Sequence, residues 1–476
     1  MNTSHDRELQ AVHGELKRLI MDWAADKTVD GDRARRLRQR AVEINHRRYR
    51  ENIPYYRKVC RMADLDTDNP GLDNIIAHLM VTDDIFKSYP QSLVDGKNFE
   101  GMTAWLSRIS TVDLTGQLPG DVRNLDQWIE ALAAKGMNLV FSSGTSGNMS
   151  FVPRDEATWT HFLKTPLLYL PLLIAEQGMI SPWKYWLLKR LIKMIQPDAF
   201  LKMADKFGRF VLKDYDGYFC NFSGGNQGIQ LVGQEIAKYC GSAFFLYDMT
   251  LSPAAVRGII RGAHSPEEQT LADEFLRATV FNKEANYDRM IGALQESVRR
   301  RRKVIVFGTP YLLLEICQKI KARQISLKVR KGSGVIFGGG WKSFDGRRIP
   351  EEELVRLLSE TFGLEPRHIA EGYSMTEIHG LMLRCSHKRY HVPPHFETVI
   401  LDESLKPLAG DDVTGALGII DPFAESYPGF LVTGDTVRRI NAPCPCGRSG
   451  PMILSIERSA GREVKGCGGI MAKINA

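Results

Sequence analysis

The feature that most constrains this chain is a change of texture near residue 137. Beyond it, short apolar runs at 137–141, 303–307, 334–337 and 397–401 alternate with helical stretches such as 311–322 and 351–361. The runs end in glycine-rich or hydroxyl-rich turns. Such strands cannot bury a core alone, and their alternation with helices predicts a layered α/β body with mixed sheets. Upstream, Leu9, Val12, Leu16 and Ile20 recur at helical spacing in a stretch poor in Gly and Pro, which predicts a helical N-terminal region. The boundaries expected from this texture are a helical region at 1–100, an α/β body at 101–435 with a helical insertion at about 160–248, and a short C-terminal extension at 436–476.

Composition narrows the classes. A chain of 476 residues with 43% hydrophobic and 25% charged residues is neither disordered nor fibrous, and it allows two or three domains. The balance of 63 Lys and Arg against 56 Asp and Glu leaves a net charge of +7, which gives no argument for a specific nucleic-acid partner. Arg33, Arg35, Arg36, Arg38, Arg40, Arg47, Arg48 and Arg50 form a basic run. Its first reading is a solvated helix face, and its second an anionic partner. Eight cysteines are too sparse for a disulfide scaffold, so a reducing, cytoplasmic compartment is expected. The polar start lacks a signal peptide's apolar core, and no run reaches the ~18 apolar residues of a membrane span. Residues 162–206 interleave Trp183, Trp186 and Leu187 with Lys184, Lys189, Arg190 and Lys193. That pattern fits a helical pair packed on the body, or a lipid or peripheral membrane contact.

Four segments carry chemistry. Phe141-Ser142-Ser143-Gly144-Thr145-Ser146-Gly147 follows a strand, and its backbone N–H groups and hydroxyls suit phosphate oxygens. It lacks the Gly-Lys-Ser/Thr ending of a Walker loop. Gly338-Gly339-Gly340-Trp341-Lys342 follows a second strand, and its glycines let a planar ligand approach the backbone. In Gly372-Tyr373-Ser374-Met375-Thr376-Glu377, an aromatic ring can stack on a base and a carboxylate can hold Mg²⁺ beside phosphates. In Thr433-Gly434-Asp435, a carboxylate on a turn can accept ribose hydroxyls. Each alone reads equally as a plain turn; their order is the signal.

That order resembles the adenylate-forming superfamily of acyl-CoA synthetases, adenylation domains and luciferases. Phe307-Gly-Thr-Pro310, Gly338-Gly-Gly-Trp-Lys342, His391-Val-Pro-Pro394, Tyr427-Pro-Gly429, Cys446-Gly-Arg448 and Lys465-Gly-Cys-Gly468 are similar to the LuxE-type acyl-protein synthetases, with phenylacetate-CoA ligases as cousins. The resemblance runs from about residue 52 to the C-terminus and is weak across about 160–248. It implies ATP-dependent activation of a carboxylic acid, with a fatty acid as the first reading, to an acyl-adenylate, followed by acyl transfer to a thiol. Ser142, Ser143, Gly144, Thr145, Ser146 and Gly147 would then grip the phosphates, with Gly339 and Gly340 also in the nucleotide site. Tyr373 would border adenine, Thr376 the α-phosphate, Glu377 the Mg²⁺ and Asp435 the ribose. Many relatives carry a lysine just after the phosphate loop and Asn148-Met-Ser150 supplies none, which leaves the metal, Lys342 or Arg462 to meet the phosphate charge. The resemblance makes Cys467 the acylated thiol, activated by Lys465 between flanking glycines. The chain ends shortly after it, which leads us to expect no full C-terminal lid domain and an acyl-carrier or reductase protein as partner. An acyl-CoA or amide-forming ligase, and a degenerate acyl- or nucleotide-binding protein, are the alternatives.

The remaining thiols suggest metal. Cys385 and His391, some sixty residues before Cys444 and Cys446, make a candidate tetrahedral zinc set, with His387 in reserve.

Overall fold

A computed structural model of the chain describes residues 3–143, 148–341 and 348–459. Two sheets and a hairpin organise the body. The first sheet has the order β5-β4-β6-β7-β8-β9, built from β4 (Tyr215–Gly224), β5 (Ser242–Thr250), β6 (Lys303–Gly308), β7 (Gly334–Gly338), β8 (Ile369–Tyr373) and β9 (Met382–Leu383). All neighbours are parallel except β8 and β9. The sequences KVIVFG and GVIFG are almost wholly buried, as strands covered by helices on both faces must be. Crossover helices Gly228–Ala237, Pro310–Ala322 and Glu351–Phe362 return the chain between parallel neighbours.

The second sheet has the order β10-β14-β13-β12-β11, from β10 (Tyr390–His391), β11 (Glu397–Leu401), β12 (Asp412–Ile420), β13 (Phe430–Ile440) and β14 (Met452–Arg458), all antiparallel. A short strand β1 (Val81–Thr82) adds to β13 in parallel. The hairpin β2 (Asn138–Ser143) and β3 (Met149–Arg154) carries the hydroxyl-rich loop. The architecture is the mixed α/β body that the sequence texture implies.

Three expected boundaries shift. The helical insertion ends at Leu212, not at about 248, because Tyr215–Gly224 and Ser242–Thr250 are β4 and β5 of the parallel sheet, joined by the crossover helix Gly228–Ala237. The sequence YDGYFCNFSG hides this: Asp216 and Gly217 interrupt its apolar run, yet its first eight positions are buried between two partner strands. The N-terminal helical run does not stop near 100 but continues through Phe99–Ile109 and Leu125–Ala134, and it contains β1. A break at 435 would cut β13, since β13 and β14 belong to one sheet through Arg458.

Helix α1 (Thr3–Asp26) buries Leu9, Val12, Leu16, Leu19 and Trp23 against helices of the inserted segment, through Leu168, Leu172, Leu188, Ile192 and Phe200. The inserted helices and the N-terminal region therefore share one core. Helix α2 (Gly31–Asn52) starts at Asp30, whose carboxylate accepts the Arg33 N–H as an N-cap. Its basic run is largely consumed inside the chain: Arg38 pairs with Glu397, Arg40 with Glu8, Arg48 with Asp6 and Arg35 with Asp73, while Arg50 meets Asp66 and Asp68. Those contacts favour the helix-face reading over the anionic partner.

Candidate active site

In an open α/β sheet, ligands bind outside the carboxyl ends of the parallel strands. Here that edge collects the turns after β4 (residues 224–227), after β6 (Thr309), after β7 (Gly339 and Gly340) and after β8 (Ser374 to Glu377). Gly339 and Gly340 have φ of 83° and 62°, in the left-handed region that glycine enters without steric cost. A Cβ on Gly338 would lie 2.5 Å from the Gly372 carbonyl, so only glycine lets β7 and β8 end this close together.

The hairpin that flanks the hydroxyl loop in sequence reaches the same edge. Phe141 N–H donates to the Asn226 carbonyl (3.0 Å), and Phe141 bridges to Gln227. Next in the chain, Gly228 lies against Thr376: a Cβ built on it would be 3.5 Å from Thr376 Oγ1. From the other arm of the hairpin, Arg154 at the end of β3 donates to the Thr376 carbonyl. Ser142 is buried opposite Ser150. The Ser143 side chain, Gly144, Thr145, Ser146 and Gly147 lie outside the described residues, as do Lys342, Arg462, Lys465 and Cys467.

The second sheet meets the first through the expected ribose residue. Tyr373 Oη donates to Asp435 Oδ2 (2.8 Å), and Arg458 Nη1 donates to Asp435 Oδ1 (3.0 Å). Burial, then the Asp435 carboxylate, push the Tyr373 phenol far above its usual pKa, so it remains a donor. Thr376 and Glu377 are buried, and the Glu377 carbonyl accepts the Tyr427 hydroxyl (2.9 Å). Thus Tyr373, Thr376, Glu377 and Asp435 are assembled around one edge, and the arms of the hydroxyl loop reach it. A buried carboxylate oxygen at Glu377 beside a hydroxyl at Thr376 is a donor set that suits a hard divalent cation.

Two further groups at the site had no motif signature. Arg154 is fully buried, stacked over the Phe162 ring (4.2 Å to its centroid), with Nε and Nη1 finding no hydrogen-bond partner among the described residues. Burial pushes its pKa down, while Tyr427, Glu377 and Asp421 support its charge. A buried guanidinium with unused donors is costly unless a ligand or a charge compensates it. The second group is the buried pair His379 and Asp421. Asp421 Oδ2 accepts both the His379 backbone N–H (2.7 Å) and the ring Nδ1 (2.8 Å), which fixes the turn that carries Thr376 and Glu377. Burial lowers the His379 pKa; burial alone would raise that of Asp421, but His379 holds it low. Asn221, Gln227 and Thr309 add buried polar atoms without partners among the described residues, at or near the ends of β4 and β6. A single lysine, arginine or histidine outside any motif gives no sequence signal; only the fold brings Arg154 and His379 here.

The other predicted constellation also converges. Ligand atoms of Cys385, His391, Cys444 and Cys446 lie within 4.8 Å of one another, while His387 is not in the group. Cys385 Sγ is 3.8 Å from Cys444 Sγ, and Cys446 Sγ is 3.2 Å from His391 Nε2.

Residues 279–475 match the family model described as "Acyl-protein synthetase, LuxE". It is 29% identical over 200 residues to the long-chain-fatty-acid–luciferin-component ligase of Aliivibrio fischeri, covering 41% of this chain and 52% of that protein. To the ligase of the same name from Vibrio harveyi it is 28% identical over 193 residues, covering 40% and 50%. The chain spans about half the length of the curated relatives it matches. A crystal structure of 2-hydroxyisobutyryl-CoA ligase in the postadenylation state is similar with a TM-score of 0.48 at 11% identity, over 89% of this chain and 67% of that one.

Proposed function

We propose that the protein activates a long-chain fatty acid with ATP and passes the acyl group to a thiol. The observation that carries this reading is the joining of the two sheets at Tyr373 and Asp435, beside Thr376 and Glu377, at the carboxyl edge to which Phe141, on the strand before the hydroxyl loop, is tied. The relatives named as fatty-acid ligases support the class of acid.

In the first step a carboxylate oxygen of the acid bonds to the α-phosphorus of ATP. The bond from that phosphorus to the bridging oxygen breaks, and pyrophosphate leaves with the electron pair. Ser142 to Gly147 would hold the phosphates, Thr376 the α-phosphate and Asp435 the ribose, with Tyr373 holding Asp435 in place and bordering the adenine. Glu377 would hold Mg²⁺, which when bound supplies charge neutralisation to the leaving pyrophosphate. Arg154, which donates to the Thr376 carbonyl, supplies fixed positive charge beside a hydroxyl loop that no lysine directly follows. In the second step a thiolate sulfur bonds to the acyl carbon and AMP leaves. Cys467 is the proposed thiol, on the resemblance that singles it out, and an acyl-carrier or reductase protein is the proposed onward acceptor.

A screen of acids by exchange of labelled pyrophosphate into ATP tests the reading. Exchange is expected with long-chain fatty acids; none with any carboxylic acid, in folded protein that binds ATP, would refute it.

We also propose that the helix Pro182–Met194 makes a peripheral contact with lipid. Trp183, Trp186 and Met194 on its outer side are 59%, 56% and 80% exposed, and Arg190 stacks on Trp186 (4.4 Å). The opposite side is packed: Leu188 and Ile192 are in the core, and buried Lys184 pairs with Asp214 (2.7 Å). The helix has no acidic residue, and exposed indoles among cations suit an anionic lipid surface. Among the described residues no helix is long and apolar enough to cross a membrane, so contact would be peripheral. Co-sedimentation with phosphatidylserine-containing vesicles is expected for the protein and not for a Trp183→Ser, Trp186→Ser double variant. Equal sedimentation of both would reject the assignment.

A further inference from the structure

We propose that Cys385, His391, Cys444 and Cys446 bind one structural zinc ion, and that this ion pins the root of β14. The site is separate from the nucleotide edge.

The argument is geometric. With Zn–S bonds of about 2.3 Å, two thiolates of a regular tetrahedron stand about 3.8 Å apart, and a thiolate and an imidazole nitrogen about 3.5 Å. The observed separations are 3.8 Å for Cys385 and Cys444 and 3.2 Å for Cys446 and His391. All four ligand atoms fall within 4.8 Å of one another, which no chance pair of turns requires. The thiols come from two tight turns that face each other. One has Lys388 N–H donating to the Cys385 carbonyl (2.9 Å), with Lys388 at φ 58°; the other has Gly447 N–H donating to the Cys444 carbonyl (2.8 Å), with Gly447 at φ 84°. His391 stands on β10 with Nε2 facing Cys446 Sγ, while its Nδ1 is buried with no hydrogen-bond partner among the described residues.

Charge agrees with geometry. Three thiolates, one neutral imidazole and Zn²⁺ sum to one negative charge, and Lys27, Arg389 and Arg448 surround His391. These cations also tie the site to the N-terminal region. Lys27 Nζ donates to the Cys446 carbonyl (3.1 Å), Arg448 donates to the Trp23 carbonyl (2.6 Å), and Arg448 forms a two-oxygen pair with Glu176 (2.9 and 3.0 Å).

The position gives the ion a task. His391 pairs with Met452 in register, so the cluster stands at the first residue of β14. At its far end β14 places Arg458 on Asp435, the proposed ribose acceptor. A tetrahedral clamp at one end would hold the register of the strand that orients Asp435 at the other.

The test uses full-length protein purified without chelator or metal-affinity steps. One equivalent of zinc by elemental analysis is expected, lost in Cys444→Ser and Cys385→Ser but kept in His387→Ala. Exchange of the wild-type metal for Co²⁺ is expected to give thiolate-to-cobalt charge transfer and the intense visible bands of a tetrahedral ion, a readout that stands even where a variant fails to fold. Folded wild-type protein that neither carries zinc nor shows those bands would overturn the proposal. So would a Cys385–Cys444 disulfide in the native protein, or full zinc retention by both serine variants.

Discussion

Glu377→Gln is expected to lower fatty-acid-dependent exchange of labelled pyrophosphate into ATP by about 10²–10³-fold, the scale seen when one preorganised group that meets transition-state charge is removed. The substitution keeps side-chain shape and removes the negative charge that would hold Mg²⁺. The turn should survive, because Tyr427 binds the Glu377 carbonyl, not its side chain, and His379 with Asp421 fixes the residues that follow. An unchanged melting temperature with collapsed exchange is the signature; exchange within about twofold of wild type, against that expected loss, would remove Glu377 from the chemistry.

Cys467→Ala should give the complementary result. Exchange reports the adenylation step alone and is expected to stay near the wild-type rate. Labelled acyl group on the protein, stable to denaturation and released by hydroxylamine, is expected to vanish. Persistence of that label would show that another residue accepts the acyl group, and loss of exchange would mean that the cysteine acts in the first step. Cys467→Ala therefore separates the half-reactions, and the exchange it keeps excludes simple unfolding; for Glu377→Gln, which is expected to lose both activities, the retained fold excludes it.

The spacing of apolar runs and turns made the class of fold legible, since strands and helices declare themselves by local periodicity. The same holds for Tyr373, Thr376, Glu377 and Asp435, which sit in motifs whose glycines and hydroxyls mark turns. The expected zinc set was legible from residue type, and the fold brings the four side chains together. The insertion boundary was not, because β4 carries Asp216 and Gly217 inside a buried strand. Its Asp216 is accommodated by Ser242, Ser297 and Arg302, partners 26 to 86 residues away. The basic run of α2 illustrates the converse: eight arginines in sequence read first as a solvated helix face and second as a surface for anions, whereas most of those with assigned partners face carboxylates from other elements.

What the sequence determined on its own is therefore the local vocabulary: which segments are strands, which turns can approach a phosphate, and which side chains have the chemistry to activate an acid. Only the tertiary structure decided that Tyr373 meets Asp435 across two sheets, that Arg154 lies buried beneath Thr376, and that His379 is locked by Asp421. The reason is physical. Backbone periodicity acts over a few residues, but the interaction of two buried polar groups depends on their distance in space and on the water excluded around them, neither of which is written in their separation along the chain.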